Sequence, residues 1–342
     1  MRKKVLILTF LLVFAVIGFA PAQDVITSLS IDLQTLFDEV GKDVVPNLQT
    51  TSVLNHGLGS AELGNFPHMY FSVSAGATVA PGILEFTYDE EKFENYALFN
   101  NLLEEAGAND SEVRDITDNY APYPSVRTSF GVGLFGGYEL SVQAGIIPQT
   151  ITDMAGEEAL TATITTVGTR LRRVLVRRDR GVPAISAGIG YVYSDIDFGY
   201  DLSQLDPLEV SGSEGDPDYT TLALEGKPTF RAVTHSFGFD VRASTRFLWV
   251  FHPFIGLSSY YQNSTYEAGV NNFGGELIVG TEDPVGVTPS VQPFSEQEYH
   301  NFNVVLNTGF DVKLLILNVF AHVNYAIATQ APGAIVGVRL HF

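Results

Sequence analysis

The stretch MYFSVSAGATV, Met69 to Val79, alternates without a break. Met69, Phe71, Val73, Ala75, Ala77 and Val79 fall on one side, and Tyr70, Ser72, Ser74, Gly76 and Thr78 on the other. Successive side chains of a strand point to opposite faces, so this spacing predicts a β-strand with one apolar face and one small, polar face.

Working outward, the same register recurs down the chain. Val126 to Leu134 and Tyr138 to Ile146 read as a hairpin about the Gly136-Gly137 turn, and Val233 to Ala243 and His300 to Val312 repeat the pattern. Strands are expected near 67–80, 123–135, 137–148, 159–176, 183–200, 229–245, 247–266, 298–313, 315–328 and 333–342. Short candidates at Ile83 to Tyr88, Thr220 to Leu224 and Gly275 to Val279 either extend loops as hairpins above the membrane or add membrane strands, which gives an expected number of 10–14.

Alternation alone fits a soluble sandwich as well as a membrane barrel. Three features separate them. Several strands exceed the ~9–11 residues that cross a bilayer at a tilt. Connections after even-numbered strands are short, while 81–122, 201–228 and 267–297 are long. Aromatic residues gather near strand ends, as with Tyr191, Tyr193, Phe198, Tyr200, Tyr260, Tyr261 and Tyr266, where a membrane interface suits them. The expected fold is therefore all-β: an antiparallel, up-and-down transmembrane β-barrel with a short, partly helical N-terminal segment.

The first residues supply an address. Arg2, Lys3 and Lys4 precede an apolar run from Val5 to Phe19 and the small residues Ala20-Pro21-Ala22, the pattern of a secretory signal cleaved near Ala22. Removing it leaves 16 basic residues against 39 acidic, a formal charge of −23. A chain so acidic repels nucleic acid. Its mean hydropathy is nonetheless positive, at +0.14, so charge and apolar surface must be segregated. The long loops hold most of the acids, whereas the short turns carry Arg177, Arg178, Arg180, Arg246 and Lys313.

The domain reading is a signal over 1–22, an N-terminal segment over 23–66 and a barrel over 67–342. In the middle segment Ile31, Leu36, Phe37, Val40 and Val44 share one face of a short helix. A ten-stranded lumen is largely filled by its own side chains, which favours a periplasmic extension here; fourteen strands would favour a plug.

Strand parity directs a set of polar residues into the lumen: Arg127, Glu139, Arg170, Arg172, Asp240, Arg242, Asp311, Lys313, His322 and Arg339, with His252 and His341. They either pair into a network that fills the barrel or line a wet channel. Thr161, Thr163 and Thr165 have the opposite parity to Arg170 and Arg172, so placing both groups inside requires a bulge near Thr166 to Gly168.

Other motifs dissolve in context. Gly131 to Gly136 matches the dinucleotide fingerprint, but a strand follows it where a helix is required. His235 and Ser236 are adjacent in a strand and point apart, so they form no hydrolytic dyad. Neither an enzyme nor a cofactor is expected. Acidic loops that bind divalent cations would bridge the protein to lipopolysaccharide.

Gly337, Leu340 and Phe342 resemble the terminal β-signal of bacterial outer-membrane barrel proteins, a glycine, a hydrophobic residue and a final aromatic read by the barrel-assembly machinery. Val336 and Leu340 stand where that pattern favours a polar and an aromatic residue. The resemblance implies an outer-membrane location, lipid and lipopolysaccharide as neighbours, and closure of the last strand against the first near Tyr70. An amphipathic segment ahead of the barrel loosely resembles the long-chain fatty-acid transporters of outer membranes, which implies a channel for hydrophobic substrates. The functional expectation is a passive channel or transporter for small solutes, anionic or hydrophobic. The alternative is a non-conducting structural or surface-interaction barrel acting through its acidic loops.

Overall fold

The computed structural model describes residues 22–54, 59–63, 66–81, 120–147, 160–179, 181–200, 208–211, 220–279, 285–288 and 292–342. The expected signal segment, apart from Ala22, and the candidate strand Ile83 to Tyr88 lie outside these residues. A helix, α1 (Ala22–Leu54), is followed by β1 (Met69–Pro81), β2 (Tyr120–Leu134), β3 (Tyr138–Ile147), β4 (Leu160–Val176), β5 (Ala184–Tyr200), β6 (Leu208–Ser211) and β7 (Thr220–Ser244). Then come β8 (Phe251–Val279), β9 (Val285–Val287), β10 (Phe294–Leu314), β11 (Leu317–Ala326) and β12 (Ala331–His341).

Ten of the strands close on themselves in the order β7-β5-β4-β3-β2-β1-β12-β11-β10-β8, with β8 returning to β7. All pairings are antiparallel. The seam joins the two ends of the barrel, with Tyr70 opposite His341 and Ser74 opposite Gly337. Strands β6 and β9 are short additions beside β7 and β8. Thr220 to Leu224 and Gly275 to Val279 are not separate strands: they extend β7 and β8 and pair with each other beyond the barrel wall.

The barrel is turned inside out relative to a soluble protein. Val73, Phe130, Val142, Phe239, Leu257, Leu306 and Val336 are exposed on the outside, while Ser72, Gln143, Ser194, Ser236, Ser258 and Asn303 are buried within. Only an apolar surrounding rewards that arrangement. Residues paired across β5, β7, β8 and β10 mark its upper limit. Ala187, Val241, Leu257 and Leu306 form one outward rung, and Tyr191, Phe237, Tyr261 and Phe302 a higher one. Tyr193, His235, Asn263 and His300 follow, and two rungs beyond come Asp197, Arg231, Glu267 and Glu296. The wall thus passes from aliphatic through aromatic to charged within a few residues of each strand. Tyr260 and Tyr266 differ from expectation: both point inward and are buried, because the residues between them keep strict alternation from Tyr261.

Two further corrections concern β4 and α1. Pairing with β5 is regular through Gly168, and the shift in register falls between Val174 and Val176. No bulge is needed, because Thr166 faces inward with Arg170 while Thr163 faces outward. Helix α1 has 33 residues, a length of about 50 Å. Ile31 is exposed, and the buried apolar residues are Leu33, Phe37, Val44, Val45, Leu48, Val53 and Leu54.

Helix α1 is inside the barrel. Its hydrogen bonds run to the inner faces of β8, β10 and β11, so a ten-stranded barrel here holds a plug rather than trailing an extension. The physical reason is legible in the wall. Inward positions are mostly Ser, Thr, Asn and Gly, which leave the width of one helix where longer side chains would have filled the lumen. Close approaches between wall residues also depend on glycine. Phe320 lies over Gly337, where a Cβ would come within 2.4 Å of the ring, so Gly337 has a packing role of its own.

Candidate functional site

From the long-loop end to the short-turn end, the plug meets the wall in three zones. Near the long loops, Tyr266 donates to the carbonyl of Phe37 at 2.9 Å, and Asp38 accepts from Ser295 and, at 2.8 Å, from Gln297. Half-way down, Gln49 donates to Ser264 at 2.9 Å, Gln262 donates to the Gln49 carbonyl at 2.6 Å, and Asn303 donates to Thr50 at 2.9 Å. Below them Val53 and Leu54 join Val192, Tyr260, Val305, Ala326 and Ala331 in a small apolar core within the lumen.

The third zone holds the charged residues. Arg127 donates to the carbonyls of Thr51 and Ser52 at 3.3 and 3.2 Å, closing the C-terminal end of α1. Cationic groups there complement the helix dipole and its unsatisfied carbonyls. The chain then continues through Gly59 to Leu63 with bends at Gly59 and Ala61. Arg242 donates to the Gly59 carbonyl at 3.2 Å and Arg172 to the Ser60 carbonyl at 3.0 Å. Ser60 N donates to Asp311 at 2.9 Å, and Ala61 N to Ser244 at 3.0 Å.

Behind these contacts the wall charges pair among themselves. Asp240 bridges Arg170 and Arg242, the latter at 3.2 Å. Glu139 pairs with Arg172 at 3.0 Å, and His322 with Asp311 at 3.2 Å. The guanidinium of Arg339 lies 4.7 Å from the Tyr70 ring centroid and 5.3 Å from that of Phe320.

Arg127, Glu139, Arg170, Arg172, Asp240, Arg242, Asp311 and His322 are thus buried and inward, while Lys313 and Arg339 are partly buried. Of the terminal trio, Gly337 faces the lumen and Leu340 and Phe342 are exposed outside.

Glu62 is the functional residue that sequence reading missed. Its carboxylate, at the tip of the plug, receives Arg178 at 2.6 Å, His252 at 3.4 Å, Arg246 at 3.5 Å and Lys313 at 4.0 Å. These four side chains come from two turns and two strands, so one carboxylate ties the plug to half the rim. The only sequence signal was a single acid within the Gly-rich run GLGSAELG, Gly57 to Gly64.

The contact with His252, with Lys313 and Arg178 nearby, holds the Glu62 carboxyl down to about 2 against the opposing effect of burial. Because the folded pKa is depressed, the stabilisation is complete above the ordinary value of 4.5 and is lost as pH falls towards 2. Allowing for partial exposure, it amounts to about 2 kcal/mol. Glu62→Gln is expected to flatten the dependence of the unfolding midpoint on pH between these limits, measured in detergent; an unchanged slope would show that Glu62 is not held as described.

Small gaps remain beside the plug among the described residues. One gap of ≈ 50 Å³ lies between α1 and the wall at Arg127, and one of ≈ 40 Å³ lies beside Glu139 and Arg172. Each admits one or two waters. The fold is a plugged ten-stranded barrel.

No protein-family model matches the chain, and no curated protein matches it in sequence. Solved structures match in shape along most of its length. The translocator domain of the autotransporter NalP from Neisseria meningitidis is 8% identical, covering 92% of this chain and 99% of that one, with a TM-score of 0.34. The outer membrane protease OmpT from Escherichia coli is 9% identical, covering 84% and 99%, with a TM-score of 0.37. The attachment invasion locus protein Ail of Yersinia pestis is 7% identical, covering 80% and 98%, with a TM-score of 0.23. At these identities and scores the likeness transfers no activity, substrate or partner. The resemblance to fatty-acid transporters gains no support from them.

His235 and Ser236 lie on opposite faces, His235 outside against Tyr191 and Ser236 buried in the lumen. Among the described residues no three His, Asp or Glu side chains converge as a metal-binding group.

Proposed function

We propose that the protein is a bacterial outer-membrane channel for small anionic solutes, closed by its own N-terminal segment. The observation that carries this reading is the charge of the lumen wall. Among the described residues, Arg127, Arg170, Arg172, Arg242 and Arg339 line it against the carboxylates Glu139, Asp240 and Asp311. Arg127 Nη1 and Arg242 Nη2 have no hydrogen-bond partner among the described residues. Several of the remaining guanidinium donors are spent on plug carbonyls, which are neutral. When the plug moves, the wall presents an excess of buried cationic donors to whatever enters, and a carboxylate or phosphate satisfies them better than a cation or a neutral solute.

The test is reversal potential in planar bilayers under a salt gradient. Once the lumen is open, the wild-type wall is expected to prefer anions, and replacing Arg127, Arg242 and Arg339 by Gln to abolish the preference. Cation preference unaffected by those replacements would overturn the reading.

A second reading, a non-conducting barrel acting through its surface loops, draws on the small residual spaces in the lumen and on the β7–β8 ribbon that projects beyond the wall. It predicts that the barrel stays silent even without the plug.

Assembly is proposed to use Gly337, Leu340 and Phe342, with outer-membrane lipid and lipopolysaccharide as surroundings. Removing Phe342 is expected to lower the amount of folded barrel in the outer membrane severalfold, read as heat-modifiable mobility on gels; normal assembly without it would remove the assembly role.

A further inference from the structure

The short-turn end of the barrel carries large exposed apolar side chains around its perimeter, interspersed with the charged residues Arg177, Arg178, Asp179 and Arg246. The β2–β3 turn carries Phe135, the β7–β8 turn carries Phe247, Leu248 and Trp249, and the β10–β11 turn carries Leu315 and Ile316, all strongly exposed. At the end of β4 Leu175 is exposed and in the β4–β5 turn Val182, and at the seam Phe342 and Phe66, the latter tilted against Phe135 with ring centroids 4.5 Å apart. Four turns and the seam make five stations, and each carries large apolar side chains, joined at the β4–β5 turn by the charged run Arg177 to Asp179.

Turn chemistry argues against accident. Leu248, Trp249 and Leu315 have φ of 48°, 54° and 54°, the left-handed region that hairpin turns normally fill with Asn or Gly. Bulky residues are the least suited to it. Water offers no compensation for placing Leu and Trp there.

Height gives the explanation. On β5 the outward aliphatic and aromatic positions run from Ile185 to Tyr191, about 20 Å along the strand and about 15 Å along the barrel axis at a usual tilt. A barrel's apolar band is about 25 Å tall. Counting from Val182 in the turn to the Tyr193 rung gives about 28 Å along the axis, so the wall and its turn tips together make a band of membrane height. Basic groups lie at the same level: Arg173, 5.0 Å from the Tyr138 ring centroid, and the exposed Arg177. They match the phosphates of lipid headgroups.

We infer that the short-turn rim is a phospholipid-binding surface, its turn tips inserted into the headgroup and upper acyl region of the nearer leaflet rather than standing free in water. Continuity with the lipid-facing wall selects lipid over a protein partner, because the exposed apolar turn residues adjoin that wall and the charged groups among them, such as Arg173 and Arg177, are basic like those that meet lipid phosphates. The inference concerns the outer surface alone and holds whether or not the lumen conducts.

The chain has one tryptophan, Trp249, at the tip of a turn. The full-length protein would be folded into vesicles of phosphatidylethanolamine and phosphatidylglycerol, with some acyl chains brominated close to the headgroup. Emission from Trp249 is expected to be blue-shifted and lowered by about twofold or more by the brominated lipid, as for an interfacial tryptophan, and to resist iodide present on both sides of the membrane. Quenching by iodide with no effect of brominated lipid would put the turn in water and overturn the inference. Protection from both quenchers would show a protein cover, a second copy or another chain, and would also overturn it.

Discussion

A barrel lacking residues 23–66 is expected to conduct steadily in planar bilayers, where the intact protein stays closed for most of the record. The expectation follows from what the segment occupies. Helix α1 and residues 59–63 after it meet the wall from Tyr266 near the long loops to Lys313 at the turns, and the gaps described beside them at Arg127 and Glu139 are of water size. Removing them exposes inward Ser, Thr, Asn and Arg side chains, which water wets readily. The barrel itself should persist, since its backbone hydrogen bonds are all made between strands and the seam from Tyr70 to His341 lies outside the deletion. Silence from a correctly folded deletion variant would remove the channel reading and leave the non-conducting one.

The largest loss of stability is expected at Asp240. Its carboxylate lies against Arg170 and Arg242, and both partners are almost wholly buried. Asp240→Ala strands two buried guanidinium groups with no counter-charge between them, and breaking a buried pair in this way costs about 3–5 kcal/mol. Asp240→Asn keeps the shape and loses the charge, so it should cost less. Urea unfolding in detergent, followed by gel mobility, would show both. A loss below about 1 kcal/mol in the Ala variant would mean that water already compensates the arginines.

The barrel was legible because its signal is local and repeated. Period-two alternation placed the strands, and the alternation of long and short connections placed their direction. The inward parity of Arg127, Glu139, Asp240 and Arg242 followed from the same count. What sequence could not show is what those residues meet. Arg172 and Ser60, or Asp311 and Ser60, are brought together only by threading the N-terminal segment through the closed barrel, and no periodicity encodes a contact between elements so far apart in the chain. The plug itself was misjudged for a related reason. Whether a ten-stranded lumen is full depends on the summed size of its inward residues around the whole ring, and a strand-by-strand reading never takes that sum. Tyr260 and Tyr266 show the opposite failure, a general preference of aromatics for interfaces applied where parity already pointed inward.

Glu62 marks the limit most clearly. Its role rests on three cationic side chains and His252, which approach from separate parts of the rim.

The chain contains no cysteine, so a single engineered pair reports without background. Gln49 and Ser264 touch at 2.9 Å in the middle of the lumen. Changing both to cysteine and linking them, directly or through a short bis-maleimide, should trap α1 against β8 in nearly every folded molecule, and the trapped barrel should stay closed at voltages that open the uncrosslinked protein. Failure of the pair to link in the folded barrel, or undiminished conductance once linked, would contradict a lumen closed by its own N-terminal helix.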